Sequence, residues 1–391
     1  MKSIVISDLH LGIDDSIAET VKNRSLLIAF LENIISKKSA DEVVINGDFL
    51  DQWFLPGMYD KCPEDSDEFY IACAGNNQPV IDAFEKLAKS GIRLVYVPGN
   101  HDMTLSHETL ERIIPGIIQA RDVRGLGRYR TGSRGEIVVE HCHRYESFCA
   151  PDIFSNREFM KYGDPILPSG YFFARIGVQS IIEGMPDVKK QVENVDVPDK
   201  RDIHQILGYA YYKVWKTVIE DRFPVNEKMD DKFIHVAVDG FKGDFSISDI
   251  VPVQNEKGIS ARLYADFGAR WDEICRRNLA PAPVNLIEQL TRMTDQSLRA
   301  EYAKSQYFDL DPTVDVVVFG HTHVPYYQEY EGYDRKKIYV NEGTWVDNNM
   351  DDPENTAVFA EIISDNEETV VELKKCVPNR DGFEILPVEL A

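Results

Sequence analysis

The sequence predicts an α/β layered protein. Three observations carry that expectation: short β-branched runs alternate with segments of helical apolar spacing, the runs stop abruptly at Asp, Asn or Gly, and the strand rhythm returns near the C-terminus after a long helical stretch. Ser3-Ile4-Val5-Ile6-Ser7 reads as a buried strand ending at Asp8. From Ser16 to about Lys38, Ile17, Val21, Leu26, Leu27, Phe30, Leu31, Ile34 and Ile35 recur at helical spacing. Val43-Val44-Ile45 is the next strand, stopping at Asn46-Gly47-Asp48, and Pro79 to Ser90 the next helix, with Gly91 as its cap. Strand Arg93 to Val97 is broken by Pro98-Gly99, and Ile137 to Glu140 is a further strand. Ligands of such sheets collect in the loops beyond the carboxyl ends of the strands.

From Pro151 to Pro312 the rhythm changes. Helical stretches over 201–221, 260–278 and 283–304 carry Tyr209, Tyr211, Tyr212, Trp215 and Trp271, flank a mixed region from Phe233 to Val253, and read as an inserted, mainly helical region with its own aromatic core. Strands then follow at Asp315–Phe319, Ile338–Val340, Ala357–Ile363 and Thr369–Leu373. The expected organisation is a core made of 1–150 and 313–391, the latter part forming a second β layer, with 151–312 inserted as a cap. The acidic stretch from Asp347 to Glu354 reads as a solvated turn.

Composition narrows the function. The chain has 391 residues, 43% of them hydrophobic, and a net charge of −23. That excess of carboxylate repels a phosphate polymer, which weighs against nucleic acid or anionic lipid as a partner. No run reaches the roughly 18–20 apolar residues of a membrane helix. The N-terminal MKSIVISDLHLG turns polar at Ser7 and Asp8, unlike a signal-peptide core. Six cysteines show no C-x-x-C. Reduced thiols in a cytoplasmic protein, without stable membrane insertion, are the expectation.

Six of the nine histidines fall in short clusters that follow predicted strands. The strand-end clusters are Asp8-Leu9-His10, Gly47-Asp48, Gly99-Asn100-His101-Asp102, His141-Cys142-His143 and Gly320-His321-Thr322-His323. Each alone is ordinary turn chemistry, but chance does not gather six scarce imidazoles at four of five strand ends. Carboxylate, imidazole and amide oxygen without a thiolate set suit Mn²⁺, Fe or Zn²⁺ better than a structural zinc or a calcium cage. On an extended strand His141 and His143 share one face and Cys142 the other, so Cys142 reads as a packed thiol. His321 and His323 share a face by the same rule.

These blocks, with Gly47-Asp48-Phe49-Leu50-Asp51, resemble in order the five signatures of the calcineurin-like metallophosphoesterase superfamily: D-x-H, G-D-x-x-D, G-N-H-[DE], a His block and G-H-x-H. The resemblance implies a four-layer αββα sandwich with two divalent ions, Mn²⁺ foremost, at the sheet edge. It implies Asp8, His10 and His323 on one ion, Asn100, His141 and His321 on the other, and Asp48 bridging. His101 is implied as the non-ligand histidine that protonates the leaving oxygen after attack by a metal-bridging hydroxide. Asp51 and Asp102 either orient histidines or hold turns; His143 is a pocket residue whose ligation stays open. Arg124, Arg128 and Arg144 either meet a substrate phosphate or are solvated.

Gly47 to Trp53 and Asn341-Glu342-Gly343-Thr344-Trp345 are similar to patterns of the bacterial UDP-2,3-diacylglucosamine hydrolase-like branch. The chain departs from that branch in having His101 where arginine is usual, and in a much longer insertion. The implied activity is hydrolysis of a phosphodiester, phosphomonoester or pyrophosphate in a small phosphorylated substrate. A diacylglucosamine-type pyrophosphatase, a nuclease and a non-catalytic scaffold are the alternatives.

Overall fold

The β-branched runs around Val5, Val44, Val95, Val138 and Val317 are near-continuously apolar and buried along almost their whole length, because the sheets they build are covered on both faces. In a computed structural model, the described residues are 1–188, 192–199, 201–256, 258–265, 267–380 and 382–390. The chain divides into two units: Met1–Gln52, Asp67–His143 and Asp295–Ala391 form one, Trp53–Ser66 and Arg144–Thr294 the other.

In the first unit, β1 (Lys2–Ile6), β2 (Glu42–Asn46), β3 (Arg93–Val97) and the short β4 (Ile118–Gln119) run parallel. Helices α1 (Arg24–Lys37), α2 (Ser66–Asn76), α3 (Gln78–Lys89) and α4 (His107–Ile113) lie between these strands in the chain. β5 (Tyr129–Thr131) and β6 (Ile137–Glu140) open the second sheet. After the second unit come α10 (Gln296–Ala303), β11 (Val316–Phe319), β12 (Tyr326–Tyr330) and β13 (Lys337–Asn341). The chain then gives β14 (Val358–Ser364), β15 (Thr369–Asn379) and β16 (Gly382–Pro387).

The strand orders are β16-β15-β14-β1-β2-β3-β4 and β12-β13-β11-β6-β5. The expected second β layer is therefore corrected in part. β11–β13 do build it with β5 and β6, but β14–β16 extend the first sheet, β14 antiparallel to β1 with Val5 opposite Ala360. Periodicity marks a strand without naming its partner; the pairing follows from burying Val358, Ala360 and Ile362 between the sheets.

That inter-sheet core joins Val5, Val44 and Val95 of one sheet to Val139, Val318 and Val340 of the other. Each such buried side chain contributes roughly 1.5–3 kcal/mol. An exposed ion pair such as Lys86–Glu32 adds at most about 1 kcal/mol, so packing decides the fold. α1 and α3 pack on each other and on the outer face of the first sheet, and α10 packs on β13, giving four layers.

The helix expected from Ser16 starts only at Arg24, because Asp347 intervenes. Its carboxylate accepts the N–H groups of Val21, Lys22 and Asn23 at 2.8–2.9 Å, which holds these residues in a turn just ahead of the helix instead of in its first turns. Asp347 is thus a structural anchor rather than part of a solvated turn.

The second unit contains α5 (Gly170–Ile182), α6 (Ile203–Thr217), a hairpin of β7 (Ile234–Val238) and β8 (Phe241–Phe245), and α7 (Ile247–Ile250). It continues with the pair β9 (Val253–Asn255) and β10 (Gly258–Ser260), then α8 (Phe267–Arg277) and α9 (Leu286–Thr291). The helix expected over 260–278 begins at Phe267, and residue 266 lies outside the described residues. Tyr211, Tyr212, Trp215 and Trp271 are buried. Arg144 is buried as well, giving a hydrogen bond to the Asn278 carbonyl at 2.8 Å, so it is not a solvated cation.

Candidate metal centre

Parallel register sets the site. Ile6 lies opposite Ile45, Ile45 opposite Tyr96, and Phe319 opposite Glu140, so the turns after β1, β2, β3, β6 and β11 open from aligned strand ends. Those turns are tight. Asp8, His10, Asp48, His321 and His323 all adopt positive φ, a conformation that costs a non-glycine residue roughly 1–2 kcal/mol and concentrates at functional sites. Gly99 admits a close approach: a Cβ there would stand 2.1 Å from Asp48 Oδ1.

The side chains form three groups, two of which share His10. In the first, Asp8 Oδ1 lies 3.2 Å from His323 Nε2 and 3.7 Å from His10 Nε2, and the two imidazoles approach to 3.1 Å. In the second, His141 Nε2 lies 3.2 Å from Asp48 Oδ2 and 3.1 Å from Asn100 Oδ1, with the His321 ring 5.2 Å from that of His141. Asp48 Oδ2 is also 3.5 Å from His10 Nε2, so one oxygen faces both groups. In the third, Asp51 spans two histidines, with Oδ2 2.7 Å from His10 Nδ1 and Oδ1 2.8 Å from His101 Nδ1.

The outer partners fix the tautomers. A carboxylate or carbonyl only accepts, so His10 Nδ1 donates to Asp51 and His141 Nδ1 donates to the Asn46 carbonyl at 2.7 Å. Both rings thereby present Nε2 to the interior, as metal-binding imidazoles do. Asp8 Oδ1 is buried and, among the described residues, takes no hydrogen bond from backbone or hydroxyl. Buried oxygens facing imidazole nitrogens, with no thiolate among them, fit a pair of divalent cations.

Electrostatics follow from this crowding. Burial pulls the His141 imidazole down, but Asp48 and Asp8 outweigh it and push it up to about 10. Burial likewise opposes the charge on His101, and Asp51 and Asp48 raise it above the usual range. Burial raises the Asp48 carboxyl, yet His141 and His101 hold it well below the carboxylate range. Burial and the neighbouring His141 drive His321 well down.

Asp102 differs from Asp51. Its oxygens accept the Phe49 and Gly99 N–H groups at 2.8 and 2.7 Å, so it braces two turns, and burial pushes it up to about 6. The extended geometry expected for His141-Cys142-His143 is corrected: β6 stops at Glu140, Cys142 has φ +88°, and His143 opens a short 3-10 turn. The bend still keeps the His141 and His143 rings 5.3 Å apart, while His143 Nε2 meets the Gly125 carbonyl at 2.8 Å. His321 and His323 also leave the strand before their side chains diverge, so they join different groups rather than one face.

Two residues escaped sequence reasoning. Glu19 Oε2 lies 3.3 Å from His10 Nδ1, and no sequence signal points to it, because periodicity places it inside the helix expected from Ser16. Glu342, fully buried, accepts from Asn46 Nδ2 at 2.8 Å, and burial pushes its carboxyl up to about 8. The folded chain keeps that proton to about pH 8, whereas the unfolded chain loses it near 4.5. Folded stability of the metal-free chain therefore falls as pH rises between those values. Glu342→Gln is expected to be more stable at pH 9 by on the order of 2–4 kcal/mol, and equal near pH 4. Urea unfolding in chelator checks this; a difference that does not grow with pH contradicts it.

Four layers, strand-end turns and paired imidazole–carboxylate groups describe an α/β sandwich with a site suited to divalent metal ions. The family model described as Calcineurin-like phosphoesterase matches residues 1–325. The chain belongs to that family, and is a metal-dependent phosphoric ester hydrolase. Among solved structures it is similar to a dimetal phosphatase from Danio rerio, at 12% identity over 99% of this chain and 98% of that one, with a TM-score of 0.39. No curated protein matches the chain. Among the described residues, no helix is long and apolar enough to cross a membrane.

Proposed function

We propose that the chain hydrolyses a phosphodiester, phosphomonoester or pyrophosphate bond of a small phosphorylated molecule, using two divalent ions, Mn²⁺ foremost. The observation that carries this reading is Asp48 Oδ2, within 3.5 Å of His10 Nε2 and 3.2 Å of His141 Nε2. Asp8, His10 and His323 would hold one ion and Asn100, His141 and His321 the other, with Asp48 as the carboxylate shared between them. Bound, the ions supply charge against the phosphoryl oxygens and acidify water.

The chain's own residues do the rest. Asp51 accepts from His101 Nδ1, turning the ring so that Nε2 gives its proton to the leaving oxygen. The same carboxylate, with Asp48, favours the charged imidazole that a proton donor needs. His101 has a side chain 15% exposed, open enough for a substrate oxygen to reach it. His143 is proposed to fasten the Gly125 loop rather than to ligate.

The region 151–312 is proposed as an insertion that selects substrate, and the site of action as the cytoplasm. The diacylglucosamine-type branch remains a narrower proposal, carried by the Asn341–Trp345 pattern. The net charge of −23 disfavours a nuclease.

The test is hydrolysis of bis-p-nitrophenyl phosphate, p-nitrophenyl phosphate and a nucleoside diphosphate ester after Mn²⁺ loading. Metal-dependent turnover of at least one is expected. Turnover of none by metal-loaded protein would overturn the reading.

A further inference from the structure

We propose that Ser7 is a positioning residue that fixes which oxygen of Asp8 is offered to a divalent ion, an inference that rests on the dinuclear reading above. Ser7 directly follows β1 and is fully buried. Its Oγ meets Asp8 Oδ2 closely and lies 3.2 Å from the Gly343 carbonyl. A hydroxyl has one proton to give, and the closer, charged acceptor takes it. The His321 backbone N–H donates to the same oxygen at 3.0 Å. Asp8 Oδ2 therefore has two donors, while Oδ1 turns to His323 and His10.

The surroundings are built for this contact. The Asp8 carbonyl accepts from Thr344 Oγ1 at 2.9 Å and from the Trp345 N–H at 3.1 Å, so the backbone is held independently of Ser7. What Ser7 adds is control of the carboxylate's rotation. Gly320 leaves room for it: a Cβ there would stand 2.8 Å from Ser7 Oγ and 3.0 Å from Asp8 Oδ2. Because His321 belongs to the other imidazole group, the clamp also ties the two groups together through one carboxylate. Without the hydroxyl, one N–H remains, and the carboxylate can turn Oδ2 toward the imidazoles.

Calorimetric titration of metal-free protein with Mn²⁺, paralleled by Co²⁺ absorption spectra, tests the proposal. Ser7→Ala is expected to weaken one of two ions by roughly 10–100-fold and leave the other unchanged. Ser7→Thr, which keeps the hydroxyl, is expected to restore it, and Ser7→Cys, a weak donor of similar size, to fall between. A purely structural role would lower thermal stability and weaken both ions alike. Wild-type affinity for both ions in Ser7→Ala overturns the proposal; if that variant does not fold, wild-type affinity in Ser7→Cys does so. Asp8→Asn separates the failures: if it too leaves both affinities unchanged, the dinuclear reading itself is wrong.

Discussion

Asp48→Ala is expected to lose metal loading and turnover together, with hydrolysis falling about 10³-fold or more. The size of the effect follows from the position of one carboxylate. Oδ1 accepts the His101 N–H at 2.8 Å, which fixes the side chain, while Oδ2 faces His10 and His141. Removing it leaves two sets of nitrogens with no shared anion between them. It also removes the main opposing charge that holds the His141 proton, so the variant's His141 is expected to titrate well below 10. Asp48→Asn, which keeps the shape and the bond to His101, is expected to fold as the parent does and still fail. Elemental analysis of dialysed protein beside an ester assay checks both variants. Full metal content with full turnover in Asp48→Ala would contradict the account.

His101→Gln is expected to retain both ions and lose about 10²–10⁴-fold in kcat toward an alkyl phosphate ester. The loss is expected to be much smaller toward a p-nitrophenyl ester, whose leaving group departs without protonation. That contrast separates a proton donor from a residue that only shapes the pocket. The pH profile supplies an independent sign. Charged His101 is the competent form, so wild-type turnover of the alkyl ester falls as pH rises through the pKa of this imidazole, whose charged form the Asp51 carboxylate supports. The alkaline fall is expected to vanish in His101→Gln. An equal loss for both esters, with the fall intact, would assign the proton to another group.

Much of this was legible in the sequence because the chemistry sits where regular structure ends. β1, β2, β3, β6 and β11 are each apolar enough to be read as strands, and each is followed by Asp8, Asp48, Asn100, His141 or His321. What periodicity cannot carry is partnership. Ala357–Ile363 reads as a strand, but nothing local says that it pairs with β1 rather than with β13. α2 gives no helical signal for a related reason: its apolar residues form no single stripe. Periodicity starts α1 too early because the carboxylate that holds the preceding turn, Asp347, lies over 300 residues away.

The site shows the same division. Residue types and order pointed to the imidazole and carboxylate groups, yet their sorting depends on turns with positive φ that alternation rules do not foresee. His321 and His323 look like neighbours on one face, and the left-handed turn sends them to different groups. Asp51 and Asp102 looked equivalent in sequence. Only the fold distinguishes a carboxylate shared by His10 and His101 from one spent on the Phe49 and Gly99 N–H groups.

The central claim is that one carboxylate, Asp48, joins two metal-binding groups. The most direct measurement is the number of Mn²⁺ ions bound per chain at saturation, by calorimetry with elemental analysis of the same samples. The account predicts two for the wild-type chain. A single ion, or none, at saturating Mn²⁺ would contradict it.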